Sequence, residues 1–591
     1  MDRSETVYDL PGLARSLQRT LAELYDETAS GPVGSHTPPS SVELFFPPRP
    51  EFGDVATNAA LIGAKALRRK PREIAEDLGT RWSAGEGAAV CDRIEVAGPG
   101  FLNLHLGGAW YRGAVGRILA QGDDYGRGVL PEAERAKVNI EFVSVNPTGP
   151  LHVGHARYAS MGDALCRIFA FAGHEVTREF YVNDHGTQML KFGWSLAARY
   201  AQALGLEMPL PEDGYQGDYV AELAQELRAE WGDRHREALA AVAPDVTALD
   251  EQTTHAFKSW GCESILARFR ATLERLRVPF DVWASEASLF EGGDTEWRGY
   301  RGEVGKALAQ MDGEGHLYDA DGAVWLKTTD YGDDKDRVLI RQSGVHTYFL
   351  SDIAYHRDKM DRGFEHMIDI WGADHHGYVL RMKAAFTALP PHEPERLELL
   401  IGQMVNLSES GVSKRMSKRK GDIVTVDDLM EAIGVDATRF FMVSRSHDST
   451  LDLDLDLAVE ESGKNPVYYV QYAHARICSI LRKVEQSGRS TEGIDESRFA
   501  GAEPDAYERA LVRALARFPL VVREAADGRA PHRVAVYLGE LAAEFHVFYR
   551  HCRVLVDDEA TANLRIALCL ATQSILAGGL ELLGVEAPRS M

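Results

Sequence analysis

The stretch 136–184 reads as a strand, a tight turn, a helix and a second strand. AKVNIEFVSV and EVTREFYVND are rich in β-branched residues, which suit a pleated, half-buried surface. Between them, HARYASMGDALCRIFAFAG puts Leu165, Ile168, Phe169 and Ala172 on one side of a helix, with Gly173 as its stop. Strand, helix and strand in that order imply two parallel strands joined by a right-handed crossover. The chain is therefore expected to be built around an α/β, Rossmann-type parallel sheet.

At 591 residues the chain exceeds one hydrophobic core; roughly 100–200 residues per domain gives about three to five units. The segment 1–115 reads as an N-terminal α+β domain: a helix carrying Leu10, Leu13, Leu17 and Leu21, two helices interrupted at Pro71, and the paired strands of IEVAGPGFLNLHL. Residues 116–461 carry the α/β pattern, with a charged helical insertion around 196–300, and HMIDIWGADHHG resumes the alternation. From 462 to 591 the periodicity is helical throughout, as in PHRVAVYLGELAAEFHVFYRH, and predicts an all-α helix bundle.

Six scattered cysteines, without a C-x-x-C pair, suggest buried thiols rather than disulfides or structural zinc. No window approaches the 18 or so apolar residues of a membrane span, so the expectation is a soluble, cytoplasmic protein. A net charge of −24 repels nucleic acid at long range. Any RNA partner must meet local basic surface, and Lys65, Arg68, Arg69, Lys70 and Arg72 offer one candidate, equally readable as a solvated helix face.

Ligands of an open α/β sheet sit beyond the carboxyl ends of its strands, at helix N-termini. NPTGPLHVGHAR lies at such a junction. Its Gly154 leaves the backbone approachable, and His152 and His155 can face one cavity and donate to a polyphosphate; taken alone they read equally well as turn and cap histidines. Far downstream, SKRMSKRKGD concentrates Lys414, Arg415, Lys418, Arg419 and Lys420 in a short loop. Alone it is a solvated charge run. WGADHHG, at the end of a strand, is alone a polar turn.

Together the first two segments resemble the HIGH and KMSKS signatures of class I aminoacyl-tRNA synthetases, written here HVGH and RMSKR. The longer strings EFVSVNPTGPLHVGHARYASMGDAL, REFYVNDHGTQM, DIAYHRDKMDRGFEHMIDIWGADHHGYVLRMKAA and NPVYYVQYAHARI resemble arginyl-tRNA synthetases of the bacterial type. The resemblance spans nearly the whole chain, is weakest over 196–300, and departs at Arg589 and Ser590.

It implies an arginine–tRNA ligase using ATP and Mg²⁺, with L-arginine and tRNA(Arg) as partners, no membrane, and a monomeric state. By the resemblance, His152, His155 and Lys418 are catalytic. Gly154, Gly372, Asp374, Arg415, Met416, Ser417 and Arg419 bind ATP, and no protein side chain ligates the metal. The resemblance places Glu141, Asn146, Tyr348 and Asp352 around the amino acid, with Asp352 as the guanidinium partner. Tyr348 and Asp352 are four apart and can share a helix face; by spacing alone, Asp352 equally caps the helix of DIAYHRDKM. The first 115 residues resemble the family's tRNA-contacting domain and the last 130 its anticodon-binding domain, where Tyr468, Tyr472 and Arg476 are suited to splayed bases, although an aromatic stripe is more often core.

Two rivals stand beside this reading. A ligase for another amino acid, for instance a cysteine-specific one, is disfavoured by the lack of clustered cysteines. A catalytically silent tRNA-binding relative has no need to keep both HVGH and RMSKR.

Overall fold

The computed structural model describes residues 7–29, 42–47, 49–414 and 424–591. Two compact units emerge, one of residues 131–460 with 583–585, the other of 1–130 with 461–582 and 586–591.

The first unit is built on five parallel strands: β1 (Lys137–Glu141), β2 (Glu175–Val182), β3 (Val282–Ser285), β4 (His366–Gly372) and β5 (Leu397–Gly402), in the order β5-β4-β1-β2-β3. Helix α1 (Val153–Ala172) makes the β1–β2 crossover and stops at Gly173, whose φ is 122°, a conformation that favours glycine. Two features depart from the sequence reading. Strand β3 lies inside the stretch taken for a helical insertion, and pairs with β2 through Glu179 to Val182. Its four residues, VWAS, follow the helix Glu251–Arg275 too closely to show a period of their own. A small antiparallel sheet of Leu317–Ala320, Ala323–Leu326 and Arg337–Ile340 precedes β4 and was likewise not legible.

Register brings three acids together. Asp369 of β4 lies beside Glu141 of β1, and Glu141 beside Glu179 of β2. All three are buried, and like charges on adjacent strands repel. Helix α2 (Tyr348–Asp361) and the residue after it supply the counter-charges. Lys359, fully buried, donates to Glu141 (2.6 Å) and Asp369 (2.8 Å). Arg362 binds both oxygens of Glu179 at 2.8 and 2.7 Å, with Tyr355 and Asn139 donating to the same carboxylate. His356 has the Asp352 carbonyl 2.7 Å from Nδ1 and the Asp369 carboxylate 2.7 Å from Nε2. Two acceptors require both ring nitrogens to carry hydrogen, so His356 is an imidazolium. Burial lowers its pKa, but Asp369 outweighs burial and the net shift is upward.

A third sheet pairs Val405–Glu409 with Leu451–Asp454 and Val412–Lys414. It leads directly into RMSKR; Arg415, Met416, Ser417, Lys418 and Arg419 lie outside the described residues.

The second unit joins the two ends of the chain. Leu10, Leu13, Leu17 and Leu21 are buried along the helix Leu10–Ala29, and Pro71 opens the helix Pro71–Ala84 as its interruption predicts. The point taken as the end of the first domain, residue 115, falls within the helix Gly108–Gln121, which packs on the C-terminal helix Glu559–Leu582. Asp54 accepts from Tyr111 at 2.7 Å and from Arg513 at 2.9 Å, tying the N-terminal sheet to the bundle. Glu559–Leu582 is long and apolar enough to cross a membrane by length and composition, but most of it is buried in the bundle.

Replacing Lys359 by Met removes the cation but leaves two facing carboxylates, so it should cost about 3–5 kcal/mol. Arg275→Ala, at an exposed pair with Asp427, should cost under about 1 kcal/mol. Urea unfolding midpoints of the two variants measure the contrast.

Candidate active site

The loop leaving β1 is strained: Val143 and Ser144 have φ of 69° and 39°, a region a β-branched residue occupies only when its surroundings hold it there. The Ser144 hydroxyl accepts from the Tyr181 N–H at 3.0 Å and pins the loop to β2. Eight residues after Ser144, His152 is the N-cap of α1. Its Nδ1 accepts from the Gly154 N–H (3.2 Å), and the His155 Nδ1 accepts from the His152 N–H (3.1 Å). The two rings stack with centroids 3.5 Å apart. Accepting at Nδ1 fixes the neutral rings in the tautomer with hydrogen on Nε2, so each is a donor on its far side. The cap reading of the two histidines is thus realised. A Cβ on Gly154 would come within 3.1 Å of the His152 ring, so a side chain there would press on the cap.

The chain just past RMSKR returns to this point. The Val153 N–H donates to Val424 O (3.1 Å) and the Val426 N–H to Leu151 O (2.9 Å), with Thr425 bridging His152. Lys418 precedes Val424 by six residues, which span at most about 20 Å when extended.

Arg157, one helical turn after Gly154, is buried and donates to four carbonyls, those of Gln403, Met404, Ser446 and Ser449, at 2.7–3.2 Å. It locks the start of α1 to the chain beyond β5. Tyr158 lies across the glycines that end β4 and β5. Its hydroxyl donates to Gly402 O (3.2 Å), and a Cβ on Gly402 would meet its ring at 2.3 Å. Gly372 occupies the matching end of β4, where a Cβ would meet Asp374 at 2.6 Å. The Asp374 side chain is 83% exposed, close to His375 (3.6 Å).

An acidic cluster forms at α2. The helix starts at Tyr348 with Thr347 as its cap, so Asp352 sits inside it, and the reading of Asp352 as a cap is not realised. Asp352 accepts from the Tyr378 hydroxyl at 2.6 Å, and burial raises its pKa. Burial, and then the charges of Asp352 and Asp184, push Glu286 up to about 7. Asn183, with its amide turned to suit its neighbours, donates to Glu286 at 2.8 Å. The buried Tyr181 hydroxyl has no hydrogen-bond partner among the described residues, and its pKa is raised by burial and then by Glu286, Asp352, Glu141 and Asp184. Tyr348 is 48% exposed near Gly186. Asn146 donates to Gln188. Glu141 is already paired with Lys359. Glu286, Tyr181, Arg157 and Tyr158 were missed in the sequence: none stands in a recognisable motif role, and Glu286 lies beyond the unpredicted strand β3.

In the other unit, helix α3 (Pro466–Gln486) presents Tyr468, Tyr472 and Arg476 along one side. The two tyrosine rings stack at 5.9 Å, and the Arg476 guanidinium lies over Tyr472 (5.9 Å) and Tyr549 (4.7 Å). Tyr472 is exposed, unlike a core residue.

Three family models match the chain: the arginyl tRNA synthetase N-terminal domain over 12–106, the class I (R) tRNA synthetase catalytic domain over 114–479, and the DALR anticodon binding domain over 470–591. The arginine–tRNA ligase of Desulforudis audaxviator is 45% identical over 99% of this chain and 100% of its own. That of Geobacillus thermodenitrificans is 46% identical over 93% of this chain and 94% of its own. The structure of Thermus thermophilus arginyl-tRNA synthetase superposes with a TM-score of 0.72 at 26% identity, covering 98% of this chain and 100% of that one.

Glu286 generates a pH signature. Its folded pKa of about 7 lies above the ordinary 4.5, so the folded state holds the proton more tightly than the unfolded chain. The stability this contributes is full below the ordinary value and disappears as pH rises towards 7. Glu286→Gln should therefore gain stability relative to the parent between pH 4.5 and 7 and hold a constant difference above, as read from urea midpoints across that range.

Proposed function

This chain belongs to the arginyl-tRNA synthetase family, and from that premise we propose how its own residues carry the reaction. The enzyme is an ATP-dependent arginine–tRNA ligase: it joins arginine to ATP as arginyl-adenylate, releasing pyrophosphate, then transfers arginine to the 3′ end of tRNA(Arg). In the first step an oxygen of the arginine carboxylate bonds to the α-phosphorus as the bond to pyrophosphate breaks. In the second, a ribose hydroxyl of the terminal nucleotide attacks the arginyl carbonyl, loses its proton and expels AMP.

The assignment of residues is supported by one observation, that Leu151–Val153 and Val424–Val426 are hydrogen-bonded to each other, so the chain that follows Lys418 by six residues lies beside HVGH. His152 and His155 present Nε2–H donors to the phosphates, and Lys418 neutralises charge as pyrophosphate departs. Catalysis of this kind is placement and electrostatics. Gly154, Gly372 and Asp374 hold the nucleoside, with Arg415, Met416, Ser417 and Arg419 over the phosphates. Imidazoles and backbone amides at HVGH are poor partners for Mg²⁺, which prefers hard oxygen ligands. The ion would therefore be held by ATP oxygens and water, adding positive charge there.

The acidic cluster takes the side chain of arginine. Asp352 and Glu286 are mutually repelling carboxylates that a planar guanidinium, with five donors, would relieve, and Tyr181 offers an unpartnered hydroxyl beside them. Asn146 and Tyr348 face the rest of the amino acid, while Glu141 reaches the cluster through its charge. Tyr468, Tyr472 and Arg476 stack on anticodon bases. The enzyme works as a monomer, in the cytoplasm, without a membrane.

Asp352→Asn should raise KM for arginine by about two orders of magnitude, the cost of one charge-assisted pair, while KM for ATP moves less than about threefold. Lys418→Ala should instead depress kcat with folding stability unchanged. Arginine- and tRNA-dependent pyrophosphate exchange, beside urea unfolding, separates the two; a Lys418→Ala enzyme that ligates normally removes that residue from the mechanism.

A further inference from the structure

Three side chains that the reaction does not use converge where the small antiparallel sheet begins. Glu314 and His316 follow the helix Gly302–Gly313 and lead into the strand Leu317–Ala320, while His392 lies past the helix Val379–Thr387. One carboxylate oxygen, Glu314 Oε2, stands 3.0 Å from His316 Nε2 and 3.5 Å from His392 Nε2, and the three atoms lie within 4.8 Å of one another. A tetrahedral ion with bonds of about 2.0–2.2 Å sets its ligand atoms roughly 3.4 Å apart, so this spacing admits one ion between them. A plain hydrogen bond accounts for His316 alone. At 3.5 Å, His392 Nε2 stands beyond the usual hydrogen-bond range of about 2.7–3.2 Å, yet it is aimed at the same oxygen.

Both imidazoles are held from behind. His392 Nδ1 is 2.9 Å from Thr387 O; a carbonyl only accepts, so Nδ1 carries the hydrogen and the neutral ring keeps its lone pair on Nε2, facing Glu314. The backbone of His392 has φ of 66°, and its N–H donates to Leu389 O at 2.9 Å. His316 is fixed by its own N–H to Met311 O (2.9 Å) and by the Lys327 N–H to its carbonyl (3.0 Å). The Tyr331 hydroxyl lies 3.2 Å from both nitrogens of the His316 ring, placed to accept from Nδ1 once Nε2 is engaged. Metal-bound imidazoles almost always donate their other N–H to such an oxygen, and each of these rings has one. The side chains of His316, Glu314 and His392 are 16%, 35% and 44% exposed, so an ion reaches them from solvent.

We propose that Glu314, His316 and His392 bind one Zn²⁺ ion, with water completing its coordination. Two imidazoles and a carboxylate suit zinc, whereas Mg²⁺ takes oxygen ligands and keeps its water. The ion joins the loop after Val379–Thr387 to the start of the small sheet, segments far apart in the chain, so its binding favours the folded state. It is distinct from the ion carried by ATP, and it does not depend on how ATP or arginine is held.

The test titrates the full chain, freed of metal by a chelator, with Zn²⁺ and separately with Mg²⁺, beside Glu314→Gln and His392→Asn. Asparagine tolerates positive φ, so the second variant keeps its backbone. Each variant should bind Zn²⁺ about a hundredfold more weakly than the parent, since loss of an outer partner alone costs roughly 10- to 100-fold. Saturating Zn²⁺ should raise the urea midpoint of the parent over its own value in chelator, leave that of each variant unmoved, and be matched in neither respect by Mg²⁺. Should a variant fail to fold, Co²⁺ on the parent gives an independent reading: visible absorption bands of a nitrogen- and oxygen-ligated ion should saturate at one equivalent and vanish when Zn²⁺ displaces it. Equal Zn²⁺ affinity and equal midpoint shifts in parent and variants overturn the proposal. So does Mg²⁺ binding as tightly as Zn²⁺, or the absence of Co²⁺ bands at one equivalent.

Discussion

Three carboxylates on adjacent parallel strands, Asp369, Glu141 and Glu179, would force the sheet apart without Lys359, Arg362 and protonated His356. Much else follows from that six-charge layer. It fixes how α2 lies on the sheet, because a helix whose buried side is ionic has one rotation and one depth that pair every group. An apolar helix could slide by a side chain at small cost; this one leaves a buried charge unpaired. The same rotation carries Tyr348 and Asp352 to the carboxyl ends of the strands. Through the Asp352 carbonyl, His356 belongs to the layer and to the acidic cluster at once.

The layer also separates two regimes of charge. Inside it every acid is matched, and Asp369 is held below the usual carboxylate range by Lys359 and His356 despite its burial. One step outward, Asp352 and Glu286 have no ion-pair partner among the described residues, and both are shifted upward by burial. A carboxyl such as Glu286, shifted towards neutrality by burial and its acidic neighbours, would ionise beside a cation and so favour ligands bearing that charge over uncharged mimics of the same shape.

How much of this the sequence disclosed depends on the range of the signal. The β1–α1–β2 unit was legible because periodicity and a glycine stop are local, and HVGH because its spacing is short. The ionic layer was not. Glu179 and Lys359 are 180 positions apart in the chain, and only the pairing of β1, β2 and β4 shows why a helix written YFLSDIAYHRDKMD turns a polar side inward. Glu286 was hidden by a four-residue strand too short for a period of its own. Asp352 was named, and its reading as a cap was removed by where α2 begins, one residue after Thr347.

The joining of the two chain ends has a consequence for biosynthesis. The first 130 residues leave the ribosome 330 residues before their packing partners, since residues 131–460 intervene. At about 5–20 residues per second that is a wait of roughly 15–65 s. Through it the helix Gly108–Gln121, together with Asp54 and Tyr111, stands without Arg513 or Glu559–Leu582. The nascent N-terminal segment is thus the stretch most in need of chaperone cover, until the helix Glu559–Leu582 emerges to pack on it.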